Sequence, residues 1–156
     1  MSRPLFRLAR VEEADLLSEL CFQAKAHWGY DVDFMEKCRE SLRVDVGAIE
    51  GGLVLVGEQE SRLTCVSIIE RLEGDLWELD AFFVRPDFIG QGLGRKLFGA
   101  TLELLTNQGC RELEILSDPQ ARPFYEALGA TFVKHSPSNA IPDRSLPLLK
   151  FIVDNT

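Results

Sequence analysis

The sequence predicts an α/β fold with a single mixed, mostly antiparallel sheet of about six to seven strands flanked by about four helices. Strand-like segments and segments with helical spacing occur in the order strand, two helices, three strands, helix, strand, helix, two strands. The three central strand segments follow one another across short turns, which favours antiparallel pairing over strict βαβ alternation. The chain has 156 residues and no repeat, linker or low-complexity segment, so we expect one domain over residues 1–156.

The N-terminal elements are a strand over residues 4–10 and a helix over residues 12–28. Acidic residues in the first turn of this helix complement its dipole. Its apolar residues recur at helical spacing: Leu16, Leu17, Leu20, Cys21 and Ala24. Residues 31–44 allow a second helix.

Three strands are predicted next, over residues 52–58, 62–72 and 75–84. Short polar turns separate them, and these turns contain Gly57, Glu60, Ser61 and Gly74. Such spacing is typical of an antiparallel meander.

The C-terminal half begins with a helix over residues 95–109 that starts near Gly94 and has Gly109 as its C-cap. A strand over residues 111–117 and a short helix over residues 119–129 follow, with Asp118 as the N-cap of that helix. Residues 131–135 and 146–153 complete the sheet.

Charge and composition exclude several classes of protein. Lys and Arg total 17 against 25 Asp and Glu, and this net charge of -8 argues against a nucleic-acid partner. The N-terminal stretch has no long apolar run, so we expect neither a signal peptide nor a membrane span. Four cysteines without a C-x-x-C pair indicate reduced, buried thiols in a cytoplasmic protein, and two histidines without clustered ligands predict no metal site.

The stretch 88-FIGQGLGRKL-97 places glycines at every second position before two basic residues. Neither the dinucleotide fingerprint G-x-G-x-x-G nor the P-loop pattern fits it. A glycine turn that leads from a strand into a helix still directs backbone amides at one point, which suits a pyrophosphate. The alternative is a turn that merely needs positive φ.

Two segments resemble the GNAT superfamily of acetyl-CoA-dependent N-acetyltransferases. The segment 83-FVRPDFIGQGLGRKL-97 is similar to the family's acyl-CoA-binding motif, and 118-DPQARPFYEALGATFV-133 is similar to its second hallmark. The spacing of the two motifs and the element order agree with the family over essentially the whole chain. Residues 25–31 and 138–149 also resemble a bacterial subgroup of unassigned substrate.

The resemblance implies a set of residues that bind acetyl-CoA. It comprises Phe82, Phe83, Val84, Gly90, Gln91, Gly92, Leu93, Gly94, Arg95, Lys96, Asp118 and Tyr125. The side chains of Phe82 and Phe83 could equally belong to the core, and Arg95 and Lys96 could simply be solvated. Ile89 departs from the family's usual Arg or Gln, and Asp118 from its usual Asn.

The resemblance also implies catalytic residues. Tyr125 matches the family tyrosine that protonates the departing CoA thiolate, with a buried core tyrosine as the alternative. Glu78 matches a position where several members place a glutamate base, and Asp80 shares its strand face. Alternatively, Glu78 and Asp80 lie on a solvated strand face or form a structural pair.

Candidate residues for the acceptor lie in the segment between the first two helices and in the loop after residue 135. They are His27, Trp28, Tyr30, Asp31 and Arg144. Aromatic rings with a carboxylate could hold an amine by cation–π contact, or they could pack the helix turn. Arg144 would suit a substrate carboxylate.

We therefore expect a cytoplasmic N-acetyltransferase that transfers acetyl directly to a primary amine of a small or amino-acid-like molecule. Protein N-termini or lysines are alternative acceptors, and a non-catalytic acyl-CoA-binding module is the alternative function. An exposed sheet edge could support a homodimer.

Overall fold

The computed structural model describes residues 3–153, which form seven strands and five α-helices. In chain order these are β1 (Leu5–Leu8), α1 (Ala14–Ala26), α2 (Val32–Cys38), α3 (Val46–Glu50), β2 (Val54–Gln59), β3 (Arg62–Glu73), β4 (Leu76–Val84), α4 (Leu93–Asn107), β5 (Glu112–Leu116), α5 (Arg122–Ala127), β6 (Thr131–Pro137) and β7 (Ser145–Ile152). Short 3-10 turns occupy Val11–Glu13, Pro86–Phe88 and Pro119–Ala121. Residues 1 and 2 lie outside this range. They belong to the N-terminal stretch in which we expect no signal peptide.

The strands form one sheet in the order β1-β2-β3-β4-β5-β7-β6. The pairs β1/β2, β2/β3, β5/β7 and β6/β7 are antiparallel, whereas β4 and β5 are parallel. A parallel pair needs a crossover connection, and the chain between β4 and β5 contains α4. The predicted α/β class with a mixed, mostly antiparallel sheet is therefore confirmed.

The second predicted helix is wrong in extent. Helix α2 ends at Cys38, and a further short helix, α3, was not predicted. The backbone N–H of Val44 donates to Ser18 Oγ at 2.8 Å, and the Val44 side chain is buried. This tertiary contact outweighs the helical propensity of residues 39–44, which include good helix formers. The five-residue helix α3 is too short to show a period.

The chain divides into two compact units. The first comprises residues up to Ile68 together with Ala81–Thr101. Its core joins one face of α1 to residues of β2 and β3, to Ile49 of α3 and to Val44 in the preceding loop. The buried residues are Leu17, Leu20, Cys21, Val44, Ile49, Val54, Val56, Val66 and Ile68. Leu16 fits the helical spacing but lies on the outer face and is 62% exposed.

The second unit comprises Ile69–Asp80 together with residues from Leu102 onward. Alternating residues are buried in two of its strands, as a half-buried strand requires: Trp77 and Leu79 in β4, and Leu113 and Ile115 in β5. Leu149 of β7 is buried as well. Strand β4 runs from the second unit into the first, because Asp80 and Ala81 are consecutive residues of it.

No helix within residues 3–153 is long and apolar enough to cross a membrane.

Candidate functional site

The glycine segment connects β4 to α4 in the first unit. Gly90 and Gly92 have φ values of 88° and 78°, in the left-handed region that favours glycine. Gly94 instead lies inside α4, which begins at Leu93 and so slightly earlier than predicted. Two of the three glycines therefore serve the turn, and the third belongs to the first turn of the helix.

The space in front of this turn is open. A Cβ atom added to Gly90 or Gly92 would meet no other heavy atom within 4 Å. Neighbouring side chains therefore do not explain the glycines, and the backbone can be approached closely from outside.

Helix geometry makes this opening suitable for an anion. The first helical hydrogen bond runs from Lys96 N to Gly92 O at 3.3 Å, so the amides of Leu93 to Arg95 have no acceptor within the helix. These amides and the helix dipole favour negative charge, and Arg95 and Lys96 are exposed beside them. The turn thus fits the diphosphate of a CoA molecule.

The aromatic residues before this turn belong to the packing of the first unit. Phe82 contacts Phe98 of α4 edge to face, with ring centroids 6.0 Å apart. Phe83 packs against the core of that unit. Both side chains are half-buried and take part in packing, so the expected contact with pantetheine would come from their backbone.

In the second unit, β4 contributes to a group of three carboxylates. One oxygen each from Glu70, Glu78 and Asp80 lies within 4.8 Å of the others. The expectation that Glu78 and Asp80 lie together agrees with this group, whereas Glu70 was missed. A tight turn after Glu73 could have indicated it, since hairpin pairing brings residue 70 beside the segment 78–80.

Burial and like charge perturb these carboxylates. The pKa of Glu78 is raised from 4.5 to about 7, first by burial and then by the nearby charges of Asp80 and Glu70. Glu114, which is opposite Glu78 in the parallel register, adds to the effect. The pKa of Asp80 is also raised, again first by burial and then by Glu70. Glu78 can therefore exchange a proton near neutral pH.

Three oxygen ligands at this spacing could also hold a cation, although exposed acidic groups commonly occur without one. The expectation of no metal site rested on the absence of clustered ligands in the sequence. The group formed by Glu70, Glu78 and Asp80 shows that folding can bring such ligands together.

Tyr125 of α5 is buried, with 6% of its surface exposed. Burial raises its pKa well above the ordinary value of 10.0, and the charge of Asp118 raises it further. The phenol is therefore protonated at neutral pH and is able to donate a hydrogen bond or a proton.

Asp118 occupies the predicted N-cap position, but its side chain makes no capping hydrogen bond. The turn that it precedes, Pro119–Ala121, is a 3-10 helix, and α5 starts only at Arg122. The Asp118 carboxylate instead pairs with the guanidinium of Arg144 at 3.8 Å. The predicted capping role is thus wrong.

The segment between α1 and α2 is packed internally. Tyr30 stacks on Phe34 with ring centroids 4.1 Å apart, and Lys25 Nζ lies 5.4 Å from the centre of the Tyr30 ring. Asp31 Oδ1 accepts a hydrogen bond from Phe34 N at 2.8 Å and caps α2. These contacts give Tyr30 and Asp31 structural roles.

Trp28 is the more accessible aromatic residue of this segment, with 42% of its surface exposed. The His27 ring is tilted relative to it at a centroid distance of 6.4 Å. Trp28 therefore offers exposed aromatic surface to a ligand.

Comparison with known proteins agrees with this architecture. Three solved structures share the fold. The first is the PaiA N-acetyltransferase of Thermoplasma acidophilum in complex with coenzyme A, with a TM-score of 0.76 and 14% identity over 96% of this chain and 99% of that chain. The second is YncA, a putative acetyltransferase of Salmonella typhimurium with acetyl-CoA, with a TM-score of 0.68 and 19% identity over 98% of this chain and 95% of that chain. The third is the ribosomal-protein-S18-alanine N-acetyltransferase of Escherichia coli, with a TM-score of 0.69 and 15% identity over 97% of this chain and 94% of that chain.

A search of curated proteins found no match. The sequence model of the acetyltransferase (GNAT) family, however, matches residues 17–130, which include the glycine turn, the strand with Glu78 and Asp80, and the helix with Tyr125. The chain therefore belongs to the acetyltransferase (GNAT) family.

Proposed function

We propose that this protein transfers the acetyl group of acetyl-CoA directly to a primary amine of a small, amino-acid-like molecule in a ternary complex. The observation that carries the proposal is the group of Glu70, Glu78 and Asp80, in which the half-buried Glu78 lies beside two exposed carboxylates. Such a group attracts an ammonium ion and can remove its proton.

Acetyl-CoA would supply an activated acyl group and a thiolate leaving group. The open turn at Gly90 and Gly92, with the first amides of α4, would bind its diphosphate, and Arg95 and Lys96 would add positive charge. Gln91 and Leu93 belong to the same turn, and Asp118 was expected to contribute as well. The backbone of Phe82, Phe83 and Val84 would orient the pantetheine arm.

The amine must lose a proton before it can attack. Glu78 fits this role because its pKa of about 7 makes it a carboxylate able to accept a proton near neutral pH. Asp80 and Glu70 would hold the ammonium form and supply the like charge that keeps the pKa of Glu78 high.

The thiolate is stabilised if an acid is placed beside it. Tyr125 fits this role, since its phenol is protonated at neutral pH and is shielded from water. A cysteine intermediate is disfavoured, because burial raises the pKa of Cys65 and also that of Cys110, to about 11, whereas a nucleophilic thiol needs a low pKa.

Binding of the acceptor would involve Trp28 and His27 through aromatic contact, with Tyr30 and Asp31 supporting the segment. Arg144 was expected to bind a carboxylate of the acceptor, and to do so it would have to share its charge with Asp118.

The first experiment is calorimetric titration with acetyl-CoA and with a pantetheine analogue that lacks the diphosphate. We expect binding of acetyl-CoA and at least tenfold weaker binding of the analogue. Acetyl transfer to a panel of amines is then measured through the release of the CoA thiol. The panel includes amino acids, polyamines, and peptides with an N-terminal amine or a lysine. Absence of acetyl-CoA binding would overturn the proposal, and turnover with peptides alone would replace the small acceptor by a protein.

The alternative is an acyl-CoA-binding module without transferase activity. Ile89 favours it, because this residue is 51% exposed where family members usually have Arg or Gln. Replacement of Tyr125 by Phe separates the two. An enzyme should lose about a hundredfold in kcat with unchanged acetyl-CoA affinity, whereas a binding module has no turnover to lose.

The cytoplasmic location and the homodimer stay predictions. The expected independence from metal is tested by assays with and without a chelator, where equal rates are expected. A lower rate that added divalent cations restore would assign Glu70, Glu78 and Asp80 to a metal instead.

A further inference from the structure

We propose that a cleft in the first unit binds the carboxylate group of a small organic acid through the guanidinium of Arg85. We call it the Arg85 cleft. It is lined by Gln23, Arg62, Arg85, Pro86 and Asp87. The proposed function assigns a role to none of these residues, so this inference stands apart from it.

The Arg85 cleft is formed by three elements of the first unit. Gln23 lies in α1, Arg62 is the first residue of β3, and Arg85 directly follows β4. The cleft is open to solvent and has a volume of about 360 Å³. Clefts that bind small molecules are typically about 300–1,000 Å³, so this one has room for a ligand at the small end of that range.

Arg85 lines this cleft with unused hydrogen-bond donors. Its Nε atom is shielded from water, yet it donates to no acceptor within residues 3–153. Over the same range, no carboxylate pairs with its guanidinium and no other side-chain hydrogen bond satisfies it. A shielded donor without an acceptor costs free energy, and a bound anion would remove this cost.

Arg7 of the same unit shows how the protein satisfies a guanidinium by itself. Its Nε is also shielded and without an acceptor, but Nη1 and Nη2 donate to the carboxylate of Glu13 at 3.0 and 2.8 Å. Nη2 also lies 3.4 Å from the carboxylate of Glu58. The charge of Arg7 is thereby balanced, whereas Arg85 has no such partner in the described part of the chain and is available to a ligand.

The backbone fixes the position from which Arg85 extends. Its amide donates to Thr64 O at 2.7 Å, and its carbonyl accepts a hydrogen bond from Phe88 N at 2.9 Å. Arg62 holds the 3-10 turn that follows, because its guanidinium pairs with Asp87 at 3.1 Å and lies 5.2 Å from the centre of the Phe88 ring. A cleft held in this way has less conformational freedom to lose when a ligand binds.

The charges of the lining favour a singly charged anion. The guanidinium groups of Arg62 and Arg85 stand against the single carboxylate of Asp87, so one positive charge is in excess. Arg62 is already paired with Asp87, so the free donors are those of one planar guanidinium, which can bind the two oxygens of a carboxylate side by side. A doubly charged anion would leave negative charge in excess next to Asp87. We therefore expect a monocarboxylate.

The test follows the side chain of Arg85 directly. Its Nε–H is shielded from water, so its proton should exchange slowly enough to appear in a ¹H–¹⁵N spectrum of the arginine side chains. Loss of the signal in Arg85→Lys assigns it. Sodium acetate and sodium sulfate are then titrated separately into the protein without acetyl-CoA, with sodium chloride added to keep the ionic strength constant.

We expect acetate to shift the Arg85 Nε–H signal to saturation and sulfate to bind roughly threefold more weakly. The internal control is Arg71, whose Nε already donates to Gly74 O at 2.8 Å and should not shift. The absence of a shift at Arg85, or equal and unsaturated shifts at both arginines, would overturn the inference. Tighter binding of sulfate than of acetate would refute the assignment to a monocarboxylate.

Substitutions then test the sign of each charge, with the backbone amide of Phe88 as the reporter of binding. Arg85→Met should weaken acetate binding about tenfold, since it removes charge-assisted hydrogen bonds. Asp87→Asn should strengthen it severalfold, because it removes the carboxylate of the lining and releases Arg62 from its ion pair. Unchanged binding in Arg85→Met, or unchanged or weaker binding in Asp87→Asn, would contradict the proposal.

The matched control is Arg43→Met. Arg43 also belongs to the first unit, but it pairs with Glu40 at 3.1 Å on an exposed surface. This variant loses the same charge as Arg85→Met and should keep its affinity for acetate within about twofold. An equal loss in both variants would show a general effect of net charge and would count against the Arg85 cleft. The titrations need neither acetyl-CoA nor turnover, so they stay interpretable if the proposed function fails.

Discussion

Replacement of Gly92 by Ala tests whether the glycine turn exists for a ligand. The φ of Gly92 is 78°, so an alanine there is strained by about 1–2 kcal/mol. No heavy atom lies within 4 Å of the added Cβ, so no clash adds to this strain. The free energy of unfolding should therefore fall by about 1–2 kcal/mol, as measured by urea denaturation.

The same substitution should also weaken the binding of acetyl-CoA, by at least as much free energy as it removes from folding. The new methyl group would enter the space that the diphosphate needs and would disturb one or two hydrogen bonds from backbone amides to a charged oxygen. Each such bond is worth about 1.5–3 kcal/mol, which corresponds to a loss of roughly 10- to 100-fold in affinity. Calorimetric titration measures this loss of affinity directly.

Gly74→Ala is the matched control, since Gly74 also has a positive φ of 59° and open space around it but lies in the turn between β3 and β4. It should lose similar stability and keep its affinity for acetyl-CoA. Gly99→Ala, in open space inside α4, should gain about 0.5–1 kcal/mol. If Gly74→Ala and Gly92→Ala weakened acetyl-CoA binding equally, the turn would be a matter of backbone geometry and not a binding site.

Three further predictions concern Glu78, Glu13 and Gly57. The pKa of Glu78 is about 7, so the transfer rate should rise with pH through 7 as its carboxylate forms, and Glu78→Gln should abolish this rise in a pH–rate profile. Glu13 accepts two hydrogen bonds from Arg7, at 3.0 and 2.8 Å, which lower its pKa below the ordinary 4.5. The folded state then binds fewer protons than the unfolded one, so the stabilisation is present above pH 4.5 and is lost as the pH falls through the lowered pKa of the folded state. Glu13→Gln should therefore cost about 2 kcal/mol at pH 7 in urea denaturation, and this cost should shrink as the pH is lowered below 4.5. Gly57→Ala should destabilise by about 1–3 kcal/mol, because its Cβ would overlap the sulfur of buried Cys65, and Cys65→Ala should remove part of that loss in a double-mutant cycle.

Local signals determined most of the secondary structure. Strand-like segments between short polar turns located β2, β3 and β4. Helical spacing located α1 and α4, because each of these helices buries one face of a regular period. The glycines marked the turn before α4 for the same local reason, since positive φ is a property of single residues. The helix expected over residues 31–44 failed where the bond between Val44 and Ser18 competed with propensity.

The sequence by itself thus determined the fold class through the order of its elements, and the glycine turn through a local glycine pattern. The family resemblance made Tyr125 and Glu78 candidates, and Asp80 joined them as a residue on the same strand face as Glu78. Only the tertiary structure decided that Glu70 joins the two carboxylates and that Arg144 pairs with Asp118. Glu70 lies across a single hairpin from Glu78 and Asp80, whereas Arg144 and Asp118 are distant in sequence. The distances and burial that set the electrostatics of both contacts arise only when the chain folds.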